Sequence, residues 1–333
     1  MRQASGVDTA ARGPGVQRLA FKWFAALLGL ALITWHYQPV SDLFLKGLND
    51  FPAFYTAGSL VGTHDLYDRE AFMARQLSLV GASNQNIQFV RLPYVAVFFW
   101  PFSRLPYLPS YWAWQASCLA ALIGFVVLWP HGHCLFPLIC FLPPVAASFL
   151  NAQDVPFVLL WVALAVRLAD SGRAIPAGLV LSLCLAKPHF FVLVPVALAA
   201  ARQWRMLLGA ACGSAILLDV SFAVAGPDWV PQLLRVWNDP LVHPSLAVSS
   251  PMAVLTTQLG DPHHRLALLT AASLICAVGA WVVGRRSDLA TGLSSAIALG
   301  VLSAFHVYWQ DYSLLLPLAA ILIYRRIPAL AFE

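Results

Sequence analysis

The chain has 333 residues, 60% of them hydrophobic and 11% charged. Soluble domains carry about 25% charged residues, and several apolar runs here reach the ~20 residues that cross a bilayer as a helix, so the composition is that of a polytopic helical membrane protein. The net charge of +5 comes from short basic clusters between apolar runs. Such clusters orient spans and are not a nucleic-acid signal.

Residues 1–19 carry Arg2, Arg12 and Arg18 and read as a cytoplasmic tail. The first span, about 20–38, is Trp-containing and lacks a small-residue cleavage site, so it reads as a retained anchor and not a signal peptide. Residues 39–91 form the longest polar interruption, a first outer loop. Within it Phe51, Phe54, Tyr55 and Gly58 follow i, i+3, i+4, i+7, which predicts a short amphipathic helix on the membrane surface. A second is expected over Arg69–Leu79.

Further spans are expected at about 92–103, 108–129, 134–150, 155–168, 175–201, 206–225, 266–284, 289–306 and 312–324. A second outer loop covers 226–264, and residues 326–333 form a cytoplasmic tail. The prediction is an all-α bundle of about 10 transmembrane helices, folded as one membrane domain over 20–325. Ten crossings put Arg104, the Arg202/Arg205 pair, Arg285/Arg286 and Arg325/Arg326 on the cytoplasmic side, with the plasma membrane as the expected location. Arg167 and Arg173 break that pattern.

Asp50 is the first candidate for chemistry. It reads either as a general base that takes a proton from an attacking hydroxyl or as a helix cap ahead of Phe51-Pro52. His306, Gln310 and Asp311 sit in a late polar break, where they either meet a substrate or mark an interfacial turn. Lys187-Pro188-His189 interrupts the middle of an apolar run. A mid-span lysine costs ~2.5–3.5 kcal/mol on insertion, so Lys187 should face the interior. There it either binds an anionic lipid phosphate or pairs with Asp219 on the next span. Asn151, Gln153 and Asp154 are substrate ligands or turn residues.

The six cysteines lie in or beside apolar segments and lack CxxC spacing, as buried inert thiols do. His131/His133 and His263/His264 lack a carboxylate cluster at ligand spacing, so no metal and no bound cofactor is expected. Phosphate-loop, dinucleotide and GxSxG fingerprints are absent from the sequence.

Taken in order, NDFPAFYTAG followed by LYD, then LPYVAVFFWPFSRLP, the long NAQDVPF…LAKPHFF run and the final QDYSLLLP resemble glycosyltransferase family 87. These are polyprenol-phosphate-mannose-dependent mannosyltransferase-like membrane enzymes with a GT-C fold. The resemblance covers roughly residues 20–325 and implies inverting transfer of a hexose, with mannose the expected sugar, from a polyprenyl-phosphate carrier to a lipid or glycan acceptor at the outer face. It places the family's first-loop acidic residue on Asp50 and its lysine-proline motif on Lys187 and Pro188. The late polar pair falls on Gln310 and Asp311, where Gln replaces a His or Tyr, so that a late histidine role either belongs to His306 or is missing. A Gly-Gln pair of the family is Ala152-Gln153 here. Lys187 or His189 would neutralise the leaving phosphate, and Tyr55, Tyr67, Trp229 and Trp237 are candidates to stack on sugar faces. The competing readings are a secondary transporter, which the intramembrane Lys187 and Asp219 would suit, and a non-catalytic lipid- or glycan-handling protein.

Overall fold

A computed structural model describes residues 41–81, 87–139, 142–239, 252, 262–304 and 306–326. The first span, the tails 1–19 and 327–333, and most of the second outer loop lie outside the described residues. Every regular element among the described residues is a helix.

The chain enters through α1 (Ser41–Lys46), α2 (Phe51–Ser59) and α3 (Arg69–Val80). Next come α4 (Pro93–Phe99), a 3-10 turn at Phe102–Arg104 and the long α5 (Tyr107–Leu128). After a turn and α6 (Phe136–Ile139), α7 (Pro143–Leu150) and α8 (Val155–Asp170) meet at a 116° bend. Then α9 (Ala174–Ser182), a 3-10 stretch at Leu183–Ala186, α10 (Pro188–Phe191) and α11 (Val194–Ala200) form a broken arm. The remainder is α12 (Trp204–Ala225), α13 (Trp229–Trp237), α14 (Pro262–Arg286), α15 (Leu289–Ser303), a 3-10 segment at Trp309–Leu315 and α16 (Leu316–Arg326).

Among the described residues, three helices are long and apolar enough to cross a membrane: α5, α12 and the Leu266–Arg286 part of α14. The bent pair α7 and α8 makes a fourth if it counts as one span. The helices at the expected spans 175–201, 289–306 and 312–324 are shorter than that, and the expected span at 92–103 is not among the candidates either. Its helix α4 has seven residues, ~10 Å of rise, against a ~30 Å hydrocarbon core. Both of its ends stay beside the first loop. The Tyr67 hydroxyl donates to the Arg91 carbonyl, and the Tyr55 hydroxyl donates to the Leu105 carbonyl at 2.6 Å. The Tyr107 hydroxyl donates to the Gly47 carbonyl. Arg104 is therefore on the same face as Asp50, opposite to the expectation.

The helix expected to lie amphipathically on the surface is also placed differently. Phe51 to Gly58 of α2 are all buried. Phe54 stacks on Phe99 with ring centroids 4.7 Å apart and nearly parallel planes, and Phe51 meets Tyr111 edge-on. Gly58 lies against the Phe99 carbonyl, where a Cβ would come within 2.5 Å of the oxygen. The i, i+3, i+4 pattern marked one apolar face, but Pro52, Ala53, Thr56 and Ala57 on the other face are small enough to be buried as well. By contrast, α3 is one-sided, with Phe72 and Gln76 buried.

Three chain reversals give the rest its organisation. The chain rises through α7 and descends through α8. It rises through α9 and descends through α10 and α11, then rises through α15 and descends through α16. At the lower ends, Arg325 pairs with Asp288 at 3.1 Å, His131 stacks on Tyr324, and Ala201 lies beside Leu289. Arg167, Arg173, Arg202, Arg205, Arg285, Arg286, Arg325 and Arg326 thus gather on one face.

Small residues let the arms approach. Gly178 of α9 packs against the backbone of Met206 and Ala210 in α12, and Gly300 of α15 packs against the Phe190 carbonyl. Two apolar clusters result. One joins α2, α4, the upper end of α5 and α13, and the other fills the body between α8, α11, α14, α15 and α16. The tips of the three reversals lie at the seam between them.

Candidate active site

The tips carry the polar residues that the sequence singled out: Asn151 to Asp154, Lys187, and Gln310 with Asp311. Each tip is local chemistry. Pro143, Pro156, Pro188 and Pro317 sit near helix starts, where a missing N–H costs nothing. Between α7 and α8 the turn needs a left-handed residue, and Ala152 takes φ +50°. In the last tip, Asp311 accepts from the Tyr308 backbone N–H at 3.0 Å and so closes its own 3-10 turn.

Side chains then link the tips into one network. Lys187 Nζ donates to Asp311 Oδ1 at 2.7 Å and lies 3.5 Å from Asp154 Oδ1. Arg91 Nη2 reaches the same Asp154 oxygen at 3.4 Å and donates to Gln153 Oε1 at 3.0 Å. The Gln153 amide donates to Asp50 Oδ2. Asn151 Nδ2 donates to Gln310 Oε1 at 3.3 Å. Asp50, Gln153, Arg91, Asp154, Lys187 and Asp311 are therefore continuous, although they come from five separate stretches of chain.

Asp50 occupies the N-cap position of α2 but does not act as its cap. That task falls to Asn49, whose Oδ1 accepts from the Phe51 N–H at 3.0 Å. The Asp50 carboxylate is free to turn toward Gln153. Asp50 keeps some exposure. Packed protein around the carboxylate nevertheless dominates, and burial pushes its pKa up to about 6. The Gln153 hydrogen bond and the charges of Arg91 and Lys187 offset only part of that rise, and Asp154 adds to it. Asp311 goes the other way. Burial pushes it up, but the charge and hydrogen bond of Lys187 hold it below the usual carboxylate range.

The other expected residues divide. His189 lies within electrostatic reach of Lys187, Asp311, Arg91 and His306, and its Nε2 is buried without a hydrogen-bond partner among the described residues. His306 packs edge-on against Tyr308, which itself feels the Asp50 charge. Gln310 is buried and joins two tips through Asn151.

Lys187 is 1% exposed and held by two carboxylates, so its partner is neither Asp219 nor an open phosphate pocket. Asp219 is exposed on α12. Tyr55 is not brought to the network: its hydroxyl is committed to Leu105, and its ring packs against Phe51 and Tyr107. Tyr67 and Trp237 likewise serve the backbone, at Arg91 and Val90. Among the described residues, no group of three or more His, Cys, Asp or Glu is arranged to hold a metal ion.

The residue that sequence reasoning missed is Arg91. Its signal was a lone arginine directly before Leu92-Pro93, at the end of the first polar loop.

An all-helical membrane protein whose buried ionic network sits at helix breaks, with one partly exposed carboxylate at its edge, belongs to the class of integral membrane proteins built around a polar site. The family model of glycosyltransferase family 87 matches residues 89–322, and the chain belongs to that family, which makes it a membrane glycosyltransferase. The matched stretch contains Arg91, Gln153, Asp154, Lys187 and Asp311 but begins after Asp50. No curated protein and no solved structure matches the chain.

Proposed function

We propose that the chain transfers a hexose, mannose first among the candidates, from a polyprenyl-phosphate carrier to a lipid or glycan acceptor with inversion, using Asp50 as general base. The observation that carries this reading is the place of Asp50. It is the partly exposed carboxylate of a network whose other carboxylates are buried, and its pKa of about 6 suits a base that must be ionised yet able to hold a proton.

The charge balance points the same way. Three carboxylates (Asp50, Asp154, Asp311) face two cations (Arg91, Lys187). Asp154 and Asp311 are matched by direct ion pairs, whereas Asp50 meets only an amide at its oxygen. Asp50 is thus the group that can gain and lose a proton without breaking an ion pair.

In the step itself, the acceptor hydroxyl oxygen bonds to C1 of the sugar as the C1–O bond to phosphate breaks. The bonding pair leaves with the phosphate, and the hydroxyl proton passes to Asp50. Arg91 is the cation that a phosphate can approach, because it keeps some exposure and Lys187 does not. Lys187 holds Asp311 and Asp154 in place and so fixes the tip against which Asp50 and Arg91 are set. We assign His189 and His306 to the donor phosphate or sugar, and Gln310 to support of the tip beside them. Tyr55 acts as packing beneath Asp50.

The arginine-rich face is read as cytoplasmic in the plasma membrane, with the N-terminus on that side and the network opening outward. On this reading ten passes remain, partitioned differently from the sequence expectation: 92–103 drops out, and 175–201 counts as two. The test is transfer by purified protein from polyprenyl-phosphate-mannose to membrane glycan acceptors. Wild type is expected to transfer, and Asp50→Asn to lose transfer while keeping a cooperative thermal unfolding transition. Full transfer by Asp50→Asn overturns the reading.

A further inference from the structure

A cavity of about 480 Å³ opens on the Asp50 face, between the start of α3 and α13. Small-ligand sites fall in this size range. Its walls come from separate parts of the chain and are pinned together. Arg69 pairs with Asp239 at 2.6 Å, joining α3 to the end of α13. Asp68 caps α3 by accepting from the Ala71 N–H at 2.9 Å. Gly62 donates its N–H to the Val224 carbonyl at 3.1 Å. The His64 ring lies so close to Gly226 that a Cβ there would fall 2.6 Å from it, and Gly226 also has φ +78°.

The lining chemistry narrows the ligand. His64, Asp65, Gln88, Gln232 and Arg235 line the space along with the Arg69–Asp239 pair and Asp68. Three carboxylates oppose two guanidinium groups, so the cavity offers no net attraction to an anion. Apolar lining is limited to Val236 and the Tyr67 ring, which leaves no seat for a lipid tail. Amides beside carboxylates are the groups that bind vicinal hydroxyls. One of them is unfulfilled: Gln232 Oε1 is closed off from solvent and has no hydrogen-bond partner among the described residues, so turning its side chain into the cavity would gain it one.

We infer that this cavity binds the uncharged saccharide of the acceptor. The inference rests on the transferase reading above and adds the acceptor's seat. Four residues from separate stretches of chain link the cavity wall to the base. Tyr67 lines it and donates its hydroxyl to the Arg91 carbonyl, and the Arg91 side chain reaches Gln153, which holds Asp50.

The test is saturation-transfer NMR on the detergent-solubilised full chain, with methyl α-mannoside as the neutral probe and inorganic phosphate as the anionic one. Wild type and Asp50→Asn are expected to bind the glycoside alike, and phosphate is expected not to displace it. Gln232→Leu and Asp65→Asn should each weaken binding by about tenfold, equivalent to ~1.4 kcal/mol. Asp65 lies exposed in a turn, so its variant keeps the fold, and an unchanged thermal transition verifies this for both. Equal glycoside binding by wild type and both variants, no binding by wild type, or displacement by phosphate overturns the inference. Because binding is read without transfer, failure of Asp50 as base leaves this result standing, and the reverse also holds.

Discussion

Gln153 donates its side-chain amide to the Asp50 carboxylate across 103 positions of chain. That contact ties the first polar loop to the tip between α7 and α8, and it lowers the proton affinity that burial gives Asp50. Burial raises the Asp50 pKa to about 6, and the amide is the largest influence pulling it down. If Asp50 is the base, transfer rises with pH through about 6 as the carboxylate ionises. Gln153→Leu removes the lowering influence, so the acidic limb of the pH profile should move to higher pH. Loss of Asp50 itself should cost ~10²–10⁴-fold in rate. A pH profile of initial rates for wild type, Gln153→Leu and Asp50→Asn checks all three outcomes.

The same shift has a stability consequence. A carboxyl whose folded pKa is raised binds its proton more tightly in the folded state. Its contribution to stability is fully present below the unfolded value and is lost as pH rises through about 6. Asp50→Asn keeps an acceptor oxygen for Gln153 and removes the buried charge. The variant should therefore match or exceed wild type in thermal stability well above pH 6 and lose that advantage in acid. Unfolding midpoints measured on both sides of that pH check the sign.

Lys187 and Asp311 are 124 positions apart and form a buried ion pair at 2.7 Å. Removing one partner strands a charge in the interior, at a cost of ~3–5 kcal/mol. Asp311→Leu and Lys187→Met should each lower the thermal midpoint sharply. The double variant should recover part of the loss, because no unpaired charge remains between the two. A double-mutant cycle on unfolding midpoints gives the coupling.

Ala152 holds φ +50°, in a region costing an L-residue roughly 1–2 kcal/mol. Its carbonyl accepts from Trp114 Nε1 at 2.9 Å, so the turn cannot relax without losing that bond. Ala152→Gly should be tolerated or stabilise by about 1 kcal/mol, whereas Ala152→Val, β-branched in a fully buried left-handed position, should destabilise strongly. Comparison of the two unfolding midpoints decides this.

Arg104 lies with the Asp50 loop, and so does Ser78, exposed on α3. In a cysteine-free background, Ser78→Cys and Arg104→Cys should react with a membrane-impermeant thiol reagent from the same side of the membrane. Labelling of the two from opposite sides would restore 92–103 as a crossing.

The sequence by itself determined the class. Low charge and long uninterrupted apolar runs point to helices in a membrane, where each segment satisfies its own backbone groups. It also marked the right polar breaks, because Asn151 to Asp154, Lys187 and Gln310-Asp311 interrupt apolar runs where an unpaired polar group is costly. Asp50 was legible as a candidate, but its local pattern fitted a cap equally well. Only the tertiary structure separated the two roles, by giving the cap to Asn49 and turning Asp50 toward Gln153. Likewise, hydropathy could not tell the seven-residue α4 from a crossing, because a buried apolar segment and a lipid-facing one have the same composition. Partner choice was beyond the sequence for the same reason: Lys187 had several carboxylates within reach of some fold, and only the convergence of three helix reversals chose Asp311 and Asp154 over Asp219.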